Sequence, residues 1–180
     1  CTSESCRRAA TRELEAVAQL PENENVLKVC RGWQQERLVC IQFEYCECGS
    51  LGTGLRRLRP GVVLEERDIW RLIYEVGSGL KHIHSHAVLH LDLKPENIFI
   101  DRQGTFKIGD FGLAWAPGHA WRVEDGDGGY VAPELLNLNA DAKPKPSCDI
   151  FSFGAMLYEV ATGRKFRECT SREEKDSIPR

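Results

Sequence analysis

His90-Leu91-Asp92-Leu93-Lys94-Pro95-Glu96-Asn97 sets out a carboxylate, a cation two residues on and an amide three residues beyond that. Asp110-Phe111-Gly112 supplies a second carboxylate 18 positions after Asp92. Phosphoryl transfer needs such a set: one carboxylate to orient a nucleophilic hydroxyl, a cation beside the transferring group, and an amide with a carboxylate to hold Mg²⁺ against phosphates. Pro95 and Gly109 place both groups in turns, and the apolar run Ile98-Phe99-Ile100 between them reads as a short buried strand. Any one of these residues is at home in a solvated loop. The ordered combination, completed by Ala132-Pro133-Glu134, is far more specific than its parts.

Positioning these groups requires a scaffold, and the patterning supplies one. Arg8 to Leu20 carries Ala9, Leu14, Val17 and Ala18 at helical spacing and stops at Pro21. Asn25 to Arg31 and Arg37 to Tyr45 read as two strands of a hairpin joined through Gln34, Gln35 and Glu36. Gly49-Ser50-Leu51-Gly52 and Arg59-Pro60-Gly61 flank a short, weakly helical stretch. From Glu65 to Ser85, Ile69, Leu72, Ile73, Val76, Leu80 and Ile83 recur in steps that predict a long helix with one buried face. Glycines after Gly112 predict a loop, and Asp149 opens an apolar helix through Met156, Leu157, Val160 and Ala161. An N-terminal cap is one role for Asp149.

Composition bounds the rest. The 180 residues, 42% of them hydrophobic, are enough for one sizeable core. A net charge of −3 argues against a nucleic-acid or membrane-surface role carried by bulk charge, although Arg56, Arg57 and Arg59 form a local basic group. No apolar run reaches the roughly 20 residues of a membrane span. The N-terminus has no signal-peptide pattern, and an intracellular protein, nuclear or cytoplasmic, is expected. The eight cysteines are scattered without C-x-x-C spacing and read as reduced thiols. His82 and His86 share a helix face, yet no second ligand pair accompanies them at finger-like spacing.

The ordered motifs resemble those of a eukaryotic protein kinase, over Arg8 to Gly163. The resemblance implies an α+β, two-lobe fold in truncated form. Residues 8–46 would be the remainder of a small lobe, comprising helix C, its last strands and the hinge. Residues 47–163 would be a partial, mostly helical large lobe, and 164–180 an unassigned tail. It makes Asp92 the group that orients the substrate hydroxyl, Lys94 the lysine on the transferring phosphate, and Asn97 and Asp110 the Mg²⁺ ligands. Glu44, Tyr45 and Cys46 become the hinge against the adenine of ATP, Phe43 the gatekeeper and Phe99 the floor beneath the adenine. Glu13 becomes the helix C glutamate that pairs with a strand lysine. Val17, Val29, His90 and Phe111 align with four stacked residues that tie the lobes together, and Asp149 would bond to backbone N–H groups of the catalytic loop.

Two departures bear on activity. The catalytic-loop arginine of the family is Leu91 here, and residues 113–129 contain no Ser, Thr or Tyr, so control by phosphorylation of this loop is not expected. The sequence also has no Gly-x-Gly-x-x-Gly and no strand lysine ahead of Glu13. The chain therefore reads as a kinase fragment, inactive by itself although its parent protein is active.

Glu124-Asp125-Gly126-Asp127-Gly128-Gly129-Tyr130-Val131-Ala132-Pro133-Glu134 resembles a segment of the Wee/Myt family, and the catalytic loop and the Ile41–Leu51 stretch resemble the Wee branch. Gly129 and Phe43 depart from that pattern. The resemblance implies a protein substrate that is a cyclin-dependent kinase, modified on tyrosine or a neighbouring threonine to delay mitosis. Kinases of a translation initiation factor, acting on Ser or Thr, are the enzyme alternative. A non-catalytic, pseudokinase-like binding module is the alternative from another class.

Overall fold

The computed structural model describes residues 4–36, 38–58, 63–117, 129–136 and 143–166, with side chains from Ala10 onward. Among them the order is α1 (Glu4–Ala18), β1 (Val29–Gln35), β2 (Leu38–Phe43), α2 (Leu51–Arg57), α3 (Glu66–Ser85), a single 3₁₀ turn (Pro95–Asn97), β3 (Ile98–Ile100), β4 (Phe106–Ile108), α4 (Pro133–Leu136) and α5 (Pro146–Thr162). This is the α+β arrangement expected, with helix α1 packed against the β1–β2 hairpin.

Helix α1 begins before Arg8 and ends at Ala18 rather than Leu20. Its last turn tightens into i→i−3 bonds, with Gln19 N–H on Ala16 C=O at 3.3 Å and Leu20 N–H on Val17 C=O at 3.1 Å. The strands are shifted from their expected bounds. β1 runs on through Gln34 and Gln35, which pair with Val39 and Leu38, and the turn is at Glu36. Polar residues suit this strand because all of it after Val29 is exposed. Residues 25–28, expected to open β1, lie alongside β4 instead: Leu27 N–H donates to Ile108 C=O at 2.8 Å and Ile108 N–H to Asn25 C=O at 2.9 Å. That pairing stitches the linker after α1 to the β3–β4 ladder.

The long helix α3 buries Leu72, Val76, Leu80 and Ile83, each at 2% exposure or less. Side chains of this size contribute about 1.5–3 kcal/mol each on burial, so the stripe anchors the core. Gly79 on the same face lets the linker approach, since a Cβ there would lie 2.7 Å from Asn25 C=O. Helix α2 is capped by Ser50, whose hydroxyl accepts the Thr53 N–H at 3.2 Å. Helix α5 starts at Pro146, a residue suited to a first turn, and stops at Gly163 in the left-handed region with φ +70°.

One apolar cluster joins α1, α3, β4, Phe111 and α5, and a smaller one holds Leu89, Leu91, Ala132, Leu135 and Cys148. The expected glycine-rich loop lies outside the described residues over 118–128, as do Arg59, Pro60, Gly61 and the tail from 167 onward. The described start of that tail is packed: Phe166 lies edge-on to Phe151 and Tyr158, ring centroids 6.0 and 5.6 Å apart.

Candidate active site

The loop from His90 to Asn97 hangs from α5. Asp149 sits in the first turn of that helix, three residues past its start and not at the cap, which is Lys145. Fully buried, its carboxylate accepts the N–H groups of His90 at 2.9 Å and Leu91 at 2.7 Å, and the His84 ring at 2.7 Å. Three donors compensate the loss of water around a buried carboxylate. They also hold Leu91 at φ +63°, a strained conformation for a residue with a side chain.

His90 is likewise fully buried and links the two ends of the site. Its Nδ1 accepts the Asp92 N–H at 3.2 Å, so Nε2 carries the proton and donates it to Gly109 C=O at 3.0 Å. Its ring meets Phe111 edge-on at 4.9 Å. Of the four residues expected to stack, these two touch, Val17 packs against the cluster containing Phe111, and Val29 is half-buried in β1.

Three of the predicted residues form one hydrogen-bonded group. Lys94 Nζ donates to Asp92 Oδ2 at 2.8 Å, and Asn97 Nδ2 donates to the same oxygen at 2.9 Å and to Asp92 C=O at 2.8 Å. Asp92 Oδ1 has no hydrogen-bond partner among the described residues. The 3₁₀ turn and the β3–β4 ladder hold Asn97 in place, Gly109 N–H donating to its carbonyl at 2.9 Å.

Asp110 is exposed and adopts φ +65° just after β4. Glu13 reaches across from α1, its carboxylate accepting the Phe111 N–H at 3.1 Å. Burial raises the Glu13 pKa above the ordinary carboxylate value, the Phe111 hydrogen bond opposes that, and the neighbouring Asp110 adds to the rise.

A cleft of about 430 Å³ gathers Glu13, Phe43, Glu44, Tyr45, Cys46, Phe99 and Asp110, together with Leu27 and Gly49. That volume is in the range of small-molecule sites. Six of the nine predicted site residues therefore line one space, and Asp92, Lys94 and Asn97 form the adjoining group. Tyr45 is 80% exposed and Cys46 buried, with burial first and Glu44 second pushing the Cys46 thiol up to about 11. The Glu44 carboxylate turns away from the cleft, accepting the Lys28 N–H at 2.8 Å and pairing with Lys107 at 3.3 Å. What Glu44 and Cys46 offer the cleft is backbone: the Glu44 C=O and the Cys46 N–H have no backbone partner among the described residues.

The residues present fit a nucleotide and a divalent cation. A free donor and acceptor two residues apart match the edge of a heterocycle. Among the described residues the Asn97 side-chain oxygen is a buried acceptor without a donor, because both contacts of that amide are made by its nitrogen. Such an oxygen and the Asp110 carboxylate are hard ligands of the kind Mg²⁺ takes, with phosphate oxygens and water completing its shell. No group of three or more His, Cys, Asp or Glu able to hold a metal occurs among the described residues, His82 and His86 included. No described helix is long and apolar enough to cross a membrane.

Two packing roles escaped the sequence reading. Gly109 shapes the cleft, because a Cβ there would lie 2.8 Å from Leu27 and 2.9 Å from the Phe99 ring. Its position before Asp110 was the available signal. Lys107, 8% exposed, pairs with Glu44 and donates to Glu24 C=O at 3.0 Å, so it braces the Glu44 end of the cleft from behind. Nothing in its strand context distinguished it from a solvated lysine.

The model of the protein kinase domain matches residues 2–178. The chain is 38% identical to a Wee1-like protein kinase of Oryza sativa over 87% of its length. It is 36% identical over 86% to the mitosis inhibitor protein kinase wee1 of Schizosaccharomyces pombe, and 36% identical over 84% to the membrane-associated tyrosine- and threonine-specific cdc2-inhibitory kinase wee-1.3 of Caenorhabditis briggsae. It spans 28%, 17% and 22% of the length of these relatives. With the Asp92, Lys94 and Asn97 group beside a cleft lined by Asp110 and the Glu44–Cys46 segment, the chain belongs to the protein kinase family and resembles its Wee-like members.

Proposed function

We propose that this chain is the catalytic part of an ATP-dependent protein kinase of Wee type, which modifies a cyclin-dependent kinase on tyrosine or a neighbouring threonine and restrains entry into mitosis. One observation carries the reading: Lys94 and Asn97 both clamp Asp92 Oδ2, leaving Oδ1 without a partner among the described residues. That oxygen would accept the substrate hydroxyl proton and orient the attacking oxygen. Lys94, already beside Asp92, would meet the negative charge developing on the transferring phosphoryl group. Glu44 and Cys46 would take the adenine edge through their backbone, Tyr45 lies at the rim, and Phe99 would floor the ring. Asn97 and Asp110 would hold Mg²⁺, which when bound neutralises charge on the phosphates. Glu13 would position the start of the Asp110 segment through Phe111. The names of the fission-yeast and nematode relatives support the substrate assignment.

We infer also that the 180 residues by themselves transfer no measurable phosphate, since among the described residues no basic side chain lines the cleft. The test is a transfer assay of the natural-length protein on a cyclin-dependent kinase, scoring phosphotyrosine and phosphothreonine. Asp92→Asn and Asp110→Ala should each abolish transfer without lowering the unfolding temperature. Unchanged turnover in Asp110→Ala removes the metal assignment, and transfer to neither residue type removes the substrate assignment.

A further inference from the structure

Beside Asp92 the catalytic loop carries a second acidic residue, Glu96, and it is already engaged. Arg56 Nη1, from the last turn of α2, donates to Glu96 Oε1 at 2.7 Å. The fit is built into the fold. Gly52 leaves room for the carboxylate, since a Cβ there would lie 2.8 Å from Glu96 Cδ and Oε1. Thr53 Oγ1 accepts from Arg56 Nη2 at 3.3 Å and so steadies the guanidinium. Both partners stay accessible, with the Arg56 side chain 62% and that of Glu96 42% exposed. Arg57 follows on the same exposed turn, and α2 has no acidic residue in its first turn.

Glu96 lies between Lys94 and Asn97, so this pair sits on the rim beside the group that would receive the hydroxyl. We propose that Arg56 and Arg57 form a substrate-docking rim that selects an acidic residue flanking the acceptor hydroxyl and rejects a basic one. The proposal deepens the kinase reading above and rests on it. A basic substrate residue would have to displace Arg56 from Glu96 and then face Arg57. A carboxylate would meet Arg57 directly and could take over Arg56, because an exposed ion pair contributes little net stability and exchanges readily. Guanidinium suits the exchange, offering a second pair of donors while the first stays on Glu96. Repulsion of the wrong charge supplies as much of the selectivity as attraction of the right one.

The experiment compares peptides that are identical except for an acidic, neutral or basic residue next to the acceptor, in two readouts. Steady-state transfer by the natural-length protein gives kcat and KM, and fluorescence anisotropy of labelled peptides gives affinity without turnover. The acidic peptide should show a KM and a dissociation constant about tenfold lower than the neutral one, the scale of one or two partly exposed charge contacts, with kcat unchanged. Arg56→Glu with Arg57→Glu should invert the order, and Glu96→Gln should favour the acidic peptide further by freeing Arg56. Absence of transfer to every peptide counts against the kinase reading alone, since anisotropy still ranks the peptides. Equal affinities for all three, or an order unmoved by the double charge reversal in a protein with native circular dichroism, overturns the rim.

Discussion

Leu91 donates its backbone N–H to Asp149 Oδ1 at 2.7 Å while holding φ at +63°. A left-handed leucine costs about 1 kcal/mol or more, and the paired N–H bonds from His90 and Leu91 hold it there. Asp149→Asn keeps the size but turns an amide NH₂ toward at least one of the donors. That leaves a fully buried backbone N–H unsatisfied, and unfolding stability should fall by about 2–4 kcal/mol. Denaturant unfolding measures this, and a loss below about 0.5 kcal/mol, the range of ordinary surface changes, would show that the catalytic loop is held by other contacts.

The side chain of Leu91 does a second job. It packs with Leu89, Ala132, Leu135 and Cys148, with Trp115 and Val131 against them, so the segment around Ala132 meets the catalytic loop through apolar contact. A phosphate bound by an arginine at this position has no counterpart: residues 113–129 lack hydroxyl side chains. Tyr130 is 5% exposed with its hydroxyl on Glu159. Phosphatase treatment of active protein should therefore leave its rate unchanged. Leu91→Ala should cost about 2–5 kcal/mol of stability, and Leu91→Arg at least as much, since it buries a cation. A large loss of rate after phosphatase treatment, traced to this segment, sinks the idea.

Cys46 should be the least reactive of the hinge thiols. Its pKa is pushed up to about 11, by burial first and by the Glu44 carboxylate second, so at pH 8 about one molecule in a thousand carries the thiolate. Alkylation mapped by mass spectrometry should label the exposed Cys30 and Cys48 at pH 8 and reach Cys46 only as pH approaches 11. The linkage sign follows. Below the ordinary value of 9.0 both folded and unfolded chains hold the proton, and between 9.0 and about 11 the folded chain alone does. Stability from this group is thus lost as pH rises through that window. Equal labelling of Cys46 and Cys48 at pH 8 would contradict the burial argument.

The grouping of the candidate site residues was more legible than the scaffold. Asp92, Lys94, Asn97 and Asp110 were readable because order and spacing are local, and a turn brings Lys94 and Asn97 onto Asp92 without help from distant residues. Helix α3 was readable because a 20-residue stripe leaves few alternatives. Strand β1 was misplaced because its pairing with β2 leaves both faces of Gln34 and Gln35 in water, where apolar alternation gives no guide. The roles of Gly109 and Lys107 depend on Leu27, Phe99, Glu24 and Glu44, which are remote in sequence.

The charge of the cleft makes the last prediction. Glu13 and Asp110 line it, Glu44 stands at its edge, and no basic side chain lines it among the described residues. A triphosphate without a divalent ion would approach carboxylates at close range, whereas an uncharged nucleoside would meet the Phe99 surface and the free Cys46 N–H with no such repulsion. Calorimetry on the 180-residue chain should show adenosine binding at least as well as ATP when Mg²⁺ is chelated. Mg²⁺ should then improve ATP about tenfold or more, the effect of one bridging cation, and leave adenosine unchanged. Asp110→Ala should remove most of the Mg²⁺ response and spare adenosine, since on the proposed reading its carboxylate holds the ion and not the base. ATP binding tightly in the absence of Mg²⁺ would mean that cations outside the described residues dominate the site, and the account of the cleft as an acidic half-site would fail.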